Sequence, residues 1–461
     1  MSMLKITTSL VGLRNRFFSY GFPLLGEMLF LLFLNHPFAF CVDFENQPAA
    51  STIQNSSADN IVQSSLLKSL LTEALEKNPS LAALRAKLAA AREMVAPAGA
   101  LPDPMVSVFL QDVEFPKITI GKAEMSMVGV EVNQGLLYPG KQKVRRESAQ
   151  AEAQVQAAEL DALQRLLASQ VRILFARLYA VDREQESLKI GKELLEMLSA
   201  TVAARYSAGS AEQEAVIKTQ LETSRLTERM IDFDAERKTI CAALNRLVDR
   251  PADIIIENIS KLPEPVTGYP EPWEESAETH ASEVLVRQEA VAAAERKVDV
   301  AKSDLNPNIL AGAGVASRDS LDWVVTLRVG VELPLWRKEK QRPILRATEH
   351  ELESAKQELR DAQAAARSEA ARLKAEWQKS EEQIRRYREA IIPQSSAALD
   401  AARSSYLTGK GDFITVITDF NLWLEARVQL EKRVAERFMT WAELEMLLNP
   451  NLPVTSGEIE P

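Results

Sequence analysis

The chain has little of the residue chemistry from which catalytic and metal sites are built. Its 461 residues include two cysteines, Cys41 and Cys241, and three histidines, His36, His280 and His350. None of them falls at the spacing of a metal-ligand motif. Because no nucleophile–base pair and no glycine-rich phosphate loop stands out either, we expect neither an enzyme nor a bound cofactor or resident metal.

Glycine and aromatic residues are also scarce, and positive charge is not clustered. The chain has 17 glycines, 6% aromatic residues and a formal net charge of -10. Long stretches rich in Ala, Leu, Glu, Gln, Lys and Arg favour helix. A nucleic-acid-binding surface is basic and clustered, so we expect no nucleic-acid partner.

The N-terminus has the composition of a secretory signal. Three basic residues precede a short apolar run, Met28–Leu34, and Ala39-Phe-Cys41 is a possible cleavage site. We therefore predict a signal peptide over residues 1–41. Alternatively, Cys41 is a lipidation site, although Phe40 stands where a small residue is usual. The sequence leaves open whether Cys41 is lipidated or the signal is simply cleaved.

Long apolar runs are missing from the remainder of the chain. No stretch of about 18 apolar residues follows the signal, so we expect no transmembrane helix. An exported chain without one is either periplasmic or inserted as a β-barrel. Residues 42–64 are polar and predict a linker, and residues 450–461 form a C-terminal tail.

Between these ends the chain repeats one plan. Tyr206-Ser-Ala-Gly209 and Tyr406-Leu-Thr-Gly409 lie 200 residues apart. The strand candidates and the prolines before them recur at nearly the same offset. This predicts two helix–strand–strand–helix–helix repeats, residues 65–249 and 275–449, joined by a proline-rich linker over residues 250–274.

The long helical stretches have coiled-coil spacing. Apolar residues recur every seven positions in both halves, at Ala153, Leu160, Leu167, Leu174 and Val181, and at Leu345, Leu352, Leu359, Ala366 and Leu373. A seven-residue repeat buries one narrow seam against neighbouring helices. A helix of about 65 residues is roughly 100 Å long, which no globular core requires.

Each half carries two strand candidates with alternating polarity. They are Met105–Val113, Ser126–Asn133, Ile309–Ala316 and Trp323–Leu333. Alternation places Glu131, Arg328 and Glu332 on polar faces, opposite the valines. A lipid-facing barrel with a wet lumen fits this pattern, and these three side chains are then expected to face the lumen. A soluble antiparallel sheet over a core has the same alternation.

Counting strands favours an oligomer. Four strands cannot close a barrel, and an open sheet in lipid leaves its edges unpaired. Three copies of four strands give twelve, an even number within the observed range. The expected fold is therefore mainly α with a small membrane β-barrel: a long coiled-coil helical tunnel plus four strands per chain, closed as a 12-stranded barrel in a homotrimer.

On these features the chain resembles the TolC-like outer-membrane efflux family. The duplicated plan, the two Tyr-x-x-Gly breaks and the stretch Ile392–Tyr406 carry the resemblance. It implies an outer-membrane trimer with a periplasmic helical extension. It also implies docking onto a periplasmic adaptor (membrane fusion) protein and an inner-membrane RND-type pump.

Two shorter motifs refine the expected cargo. Leu101-Pro-Asp-Pro-Met105 and Tyr138-Pro-Gly-Lys141 are similar to motifs of the branch paired with heavy-metal RND pumps. The leading hypothesis is thus a passive exit duct for heavy-metal cations. A multidrug or type I secretion duct is the alternative, and a periplasmic coiled-coil scaffold or adaptor is the alternative of another class.

The resemblance also implies roles for individual residues at the helix breaks. The expected adaptor-contact tips are Tyr206, Ser207, Ala208, Gly209, Tyr406, Leu407, Thr408 and Gly409. Asp412 and Asp419 lie seven residues apart on the following helix, and three-fold symmetry would bring their copies together as a gate. Some family members carry paired carboxylates at positions that here hold Thr415 and Thr418.

Overall fold

The computed structural model describes residues 52–113, 116, 125–265, 271–318 and 322–449, with side-chain environments from residue 65 onward. All of them belong to one compact unit that begins at Thr52. The predicted signal peptide, Cys41 and the C-terminal tail lie outside the described residues.

The first half consists of five helices and two strands. In chain order they are α1 Thr52–Lys77, α2 Pro79–Glu93, α3 Val95–Ala98, β1 Met105–Gln111, β2 Met127–Leu136, α4 Lys141–Ser207 and α5 Gln213–Leu247. Asn78 separates α1 from α2. Its side-chain oxygen accepts hydrogen bonds from the backbone N–H groups of Ser80 and Leu81, and Pro79 follows it. This is the side-chain cap and first-turn proline expected at a helix start.

The second half likewise has helices, then two strands, then helices, but with two helices before the strands and three after them. Its elements are α6 Trp273–His280, α7 Ser282–Ser303, β3 Asn308–Ser317, β4 Val324–Glu332, α8 Gln341–Arg386, α9 Ile392–Leu407 and α10 Phe413–Leu448. A π-helical turn, Tyr387–Ile391, joins α8 to α9 and ends two residues before Pro393. Proline lacks an N–H and crowds the preceding turn, so a wider turn accommodates it within a continuous helix.

One predicted segment differs in structure. Residues 52–64 fall in the expected linker but form the first half of α1. The apolar helix from Leu66 supplies the nucleus, and extending an existing helix adds a hydrogen bond for each residue without a new nucleation cost.

The strands form one antiparallel sheet in the order β1-β2-β3-β4. Val130 pairs with Val108 of β1 and with Val315 of β3, and Val315 pairs with Val325 of β4. The mainly helical fold with four strands is therefore confirmed. Closure into a trimeric barrel stays a prediction.

The helices enclose three apolar clusters. One lies around Phe175 and Phe438 on α4 and α10, the second around Leu188 and Phe420 nearer the helix breaks, and the third around Leu373 on α8. Within the described residues, none of the helices combines the length and the apolar content that a membrane span requires.

Candidate functional site

The sheet exposes its apolar face. Val325, Leu327 and Val329 on β4 are 72%, 81% and 80% exposed. Val106 and Val108 on β1 lie on the same face and are also exposed. Five large apolar side chains in water on one small sheet would be costly, at about 25 cal/mol for each Å² of apolar surface.

The opposite face is polar and more covered. Glu131 and Asn133 on β2 are 6% and 8% exposed. A water-soluble sheet has the reverse arrangement, with its apolar face on a core and its polar face in water. No described element covers the valines, so the arrangement contradicts the soluble-sheet interpretation and fits a sheet whose apolar side meets lipid.

The three predicted lumen residues share this polar face. Arg328 Nη1 lies 2.8 Å from Glu131 Oε1. Glu332, at the end of β4, accepts a hydrogen bond of 3.0 Å from Asn308 Nδ2. The structure thus brings Glu131 and Arg328 together and places Glu332 at the end of the sheet nearer the helices.

A buried ammonium group links sheet and helices there. Lys141 begins α4, and its side chain is 3% exposed. Its Nζ donates to Asn306 O at 2.8 Å and to Asn308 Oδ1 at 2.9 Å, and lies 3.6 Å from Asp304. The Tyr138–Lys141 motif marked this position in the sequence, but its contacts with the second half of the chain were not predictable from spacing.

The two Tyr-x-x-Gly breaks have the same backbone geometry. Gly209 and Gly409 have φ of 69° and 74°. At the first break the N–H of Ser210 donates to Arg205 O at 2.8 Å, and at the second the N–H of Lys410 donates to Ser405 O at 3.0 Å. This is the Schellman end of a helix, which needs a left-handed residue and therefore favours glycine.

The predicted tip residues are mostly exposed. Ser207, Ala208, Gly209, Thr408 and Gly409 are exposed. The tips also expose apolar surface, since Tyr206 is 47% and Leu407 is 54% exposed. These side chains are accessible to a partner.

Tyr406 is the exception among the tip residues. It is 5% exposed, and its ring packs against Phe413 with 5.6 Å between centroids. The Tyr-x-x-Gly motif does not predict this burial, because the tyrosine at the same place in the other motif, Tyr206, is exposed.

Arg205 joins the two tips and was missed by the sequence analysis. Its guanidinium lies over the Tyr406 ring, 4.6 Å from the centroid. It donates a short hydrogen bond to the Tyr406 carbonyl and a second, of 3.3 Å, to Ser210 O. Arginine stacked on an aromatic face and bonded to carbonyls is well suited to hold two chain reversals together.

Asp412 has a structural role in addition to any gating role. Its carboxylate accepts the N–H of Thr415 at 2.7 Å and so caps α10. This bond holds the pKa of Asp412 below its usual range. Thr415 and Thr418 are exposed, and Asp419 is half-buried. Gating by these residues stays a prediction.

The sequence profile of the outer membrane efflux protein family matches residues 70–249 and 274–449. The match covers most of the chain, so this protein belongs to that family. It is an outer membrane efflux channel component and not an enzyme. Members of the family are trimeric channels that work with adaptors and inner-membrane pumps. Family membership favours the channel over the scaffold interpretation.

Solved channels have the same fold. OprN is 16% identical, with a TM-score of 0.74 over 84% of this chain and 90% of its own. VceC from Vibrio cholerae is 18% identical, with a TM-score of 0.70 over 83% and 95%. CusC is 17% identical, with a TM-score of 0.70 over 83% and 92%. No significant sequence similarity to a curated protein is detectable.

Proposed function

We propose that three copies of this chain form a passive duct from the periplasm to the outside. Four strands from each copy close a twelve-stranded barrel in the outer membrane, and the helices close a periplasmic tunnel. In this arrangement each predicted repeat, residues 65–249 and 275–449, contributes two strands and one tip. The carrying observation is the exposed apolar face of an open sheet, opposite a polar face on which Glu131 and Asn133 are buried.

The sheet edges support closure between copies. β1 and β4 are the outermost strands, and each has one neighbour within the chain. Unpaired strand edges cannot remain in lipid, because no water satisfies their backbone groups. Pairing β4 of one copy with β1 of the next removes every edge.

Exposed aromatic residues lie at both ends of the strands. Trp323 precedes β4 and is 70% exposed, whereas Tyr138 and Trp336 follow β2 and β4 and are 41% and 64% exposed. Aromatic girdles at both interfaces are typical of membrane barrels. These exposed aromatic residues support a membrane placement in which the bilayer extends from Trp323 to the level of Trp336.

We assign the two tips to docking on a periplasmic adaptor, with an RND-type pump beyond it. Tyr206 and Leu407 offer apolar contact surface, and the small residues Ser207 and Ala208 permit close approach of a helical partner. The bridge from Arg205 keeps both tips in one rigid arrangement.

The docking role is tested at the two glycines. Gly209→Pro and Gly409→Pro remove an N–H and force φ near −65° where about +70° is needed. We expect export to be lost while heat-modifiable trimers persist in the outer membrane. Gly209→Asn and Gly409→Asn are the controls, since Asn tolerates the left-handed region. Normal export by both proline variants refutes docking through the tips, and a soluble monomer refutes the duct itself.

For the cargo we propose heavy-metal cations. The support is the resemblance of Leu101–Met105 and Tyr138–Lys141 to motifs of the heavy-metal branch. Both motifs lie where the sheet meets the helices, before β1 and after β2. A strain lacking the gene should become sensitive to zinc, cobalt, copper or silver while keeping its resistance to dyes and detergents. Sensitivity to dyes and detergents alone would favour the multidrug alternative.

A further inference from the structure

We propose that Glu131 and Arg328 form a charge-compensating pair in the barrel lumen, which keeps either charge alone from biasing the ion selectivity of the pore. The inference rests on the proposed trimeric duct and adds specificity-determining residues to it. Its basis is the polar face of the sheet, where one carboxylate and one guanidinium meet across an intervening strand.

The pair spans two strand spacings. Glu131 lies on β2 and Arg328 on β4, so β3 runs between them. Neighbouring strands lie about 4.8 Å apart, which puts the two backbones roughly 10 Å from each other. The side chains nevertheless approach to 2.8 Å between Nη1 and Oε1, because they extend toward each other over β3.

Glycines make this approach possible. Gly314 pairs with Glu131, and Gly312 pairs with Arg328, so the two side chains cross β3 where it has no side chain. A Cβ at Gly312 would collide with Asn133 Oδ1 and lie 3.3 Å from Glu131 Oε1. A Cβ at Gly314 would lie 3.3 Å from Glu131 Cβ. β3 therefore leaves a gap that the ion pair fills.

The two partners differ in exposure. The Glu131 side chain is 8% exposed and that of Arg328 is 58% exposed. The carboxylate thus lies against the sheet and the guanidinium covers it from the lumen side. In a trimer, three such pairs contribute no net charge to the pore. Removing either partner leaves three like charges in a narrow lumen, where fixed charge concentrates counter-ions.

The experiment measures the reversal potential of purified trimers in planar lipid bilayers under a KCl gradient. Arg328→Gln uncovers three carboxylates and should raise the potassium-to-chloride permeability ratio about twofold or more. Glu131→Gln leaves three guanidinium groups and should lower the ratio by a similar factor. The double variant E131Q/R328Q should return to the wild-type ratio, because its net charge is that of the wild type.

A second set of variants keeps the test valid if a single variant fails to assemble. E131Q/R328C carries no unpaired charge during folding, and its thiol is modified in the assembled pore. A cationic methanethiosulfonate should lower the potassium-to-chloride permeability ratio, and an anionic one should raise it. L327C is the matched control, since Leu327 adjoins Arg328 but lies on the opposite face and is 81% exposed there. Wild-type protein, with Cys241 buried, controls for other reactions.

The outcomes separate the two proposals. Wild-type protein that is a soluble monomer and gives no conductance overturns the duct and leaves the pair without a role in selectivity. Conductance with unchanged permeability ratios in both single variants overturns the selectivity role while the duct stands. If the single variants fail to assemble, the modified E131Q/R328C pore decides the question. An unchanged permeability ratio, with the modification verified by mass spectrometry, then overturns the selectivity role while the duct stands.

Discussion

The two helix breaks have the same backbone but opposite environments. Tyr206 and Tyr406 occupy equivalent positions in the two repeats, yet they are 47% and 5% exposed. Tyr406 packs on Phe413, whereas Gln213 stands at the position equivalent to Phe413. Likewise Arg205, which stacks on Tyr406, has Ser405 as its counterpart.

This difference shows how a duplicated element diverges. The Schellman geometry depends on local backbone bonds and glycine, and both repeats keep it. The side chains around it differ between the two tips. The second tip contributes the packed pair Tyr406 and Phe413, and the first contributes Arg205, which stacks on Tyr406. α10 packs against α4, α8 and α9, whereas α5 packs mainly against α4, so equivalent positions on the two helices meet different neighbours.

The largest expected effect comes from truncating the two tyrosines. Tyr406→Ala removes a buried ring and should lower the free energy of unfolding by about 3 kcal/mol. Tyr206→Ala should change it by much less, about 0.5 kcal/mol, because about half of the Tyr206 side chain is exposed. Guanidinium unfolding of detergent-solubilised protein, followed by helical circular dichroism, measures both. Tyr406→Phe is the control and should be near neutral; equal losses in the two alanine variants contradict the asymmetry.

A second contrast concerns a buried acid. Glu184 on α4 is 2% exposed, with Lys432 Nζ at 3.6 Å, and the equivalent position in the second repeat is the buried Ile384. Burial raises the pKa of Glu184 to about 7, although Lys432 opposes the shift. The folded protein therefore keeps a proton that the unfolded chain releases near its ordinary pKa of 4.5. The stability contribution of this group is complete below pH 4.5 and is lost as pH rises through 7.

Glu184→Gln should remove this pH dependence. Above pH 7 the variant should be more stable than the wild type by about 1–3 kcal/mol, and below pH 4.5 the two should be equal. Guanidinium midpoints measured from pH 4 to pH 8 test this. The exposed neighbour Glu186→Gln is the matched control and should follow the wild type. A stability difference that does not vary with pH contradicts the assignment to Glu184.

A third pair of variants should have equal effects. Gly209→Ala and Gly409→Ala each place a Cβ on a left-handed residue, which costs about 1–2 kcal/mol at either site. A Cβ at Gly209 has no heavy atom within 4 Å among the described residues, and one at Gly409 has only Arg205 Nη2 at 3.8 Å. Unfolding free energies that differ by more than about 1 kcal/mol between the two variants would mean that tip packing, and not backbone conformation, determines the cost.

The smallest expected effect is at the helix starts after the tips. Asp412 caps α10 with its side chain, whereas Glu212 precedes α5 without a side-chain cap. Asp412→Ala should cost about 1 kcal/mol and Glu212→Ala close to nothing in guanidinium unfolding. Asp412→Asn keeps the cap and removes the charge. Changed single-channel opening in that variant, at unchanged stability, would support the gate; unchanged opening leaves only the cap.

Much of the fold was predictable because its signals are local. Gly209 and Gly409 were predicted as chain reversals, and both have positive φ. The strand alternation placed Glu131 and Arg328 on polar faces, and in the register of the sheet both lie on the same face. Their ion pair was not predictable, since they lie nearly two hundred residues apart in sequence and meet only through the register of β3 with both neighbours.

The sequence by itself determined the type and order of the elements, the two faces of the strands and the positions of the helix breaks. Periodicity, glycine and proline act over a few residues, so each of these features is encoded where it occurs. Only the tertiary structure decided that Tyr406 is buried while Tyr206 is exposed, and that Lys141 bonds the start of β3. Both depend on which distant segment packs against a residue.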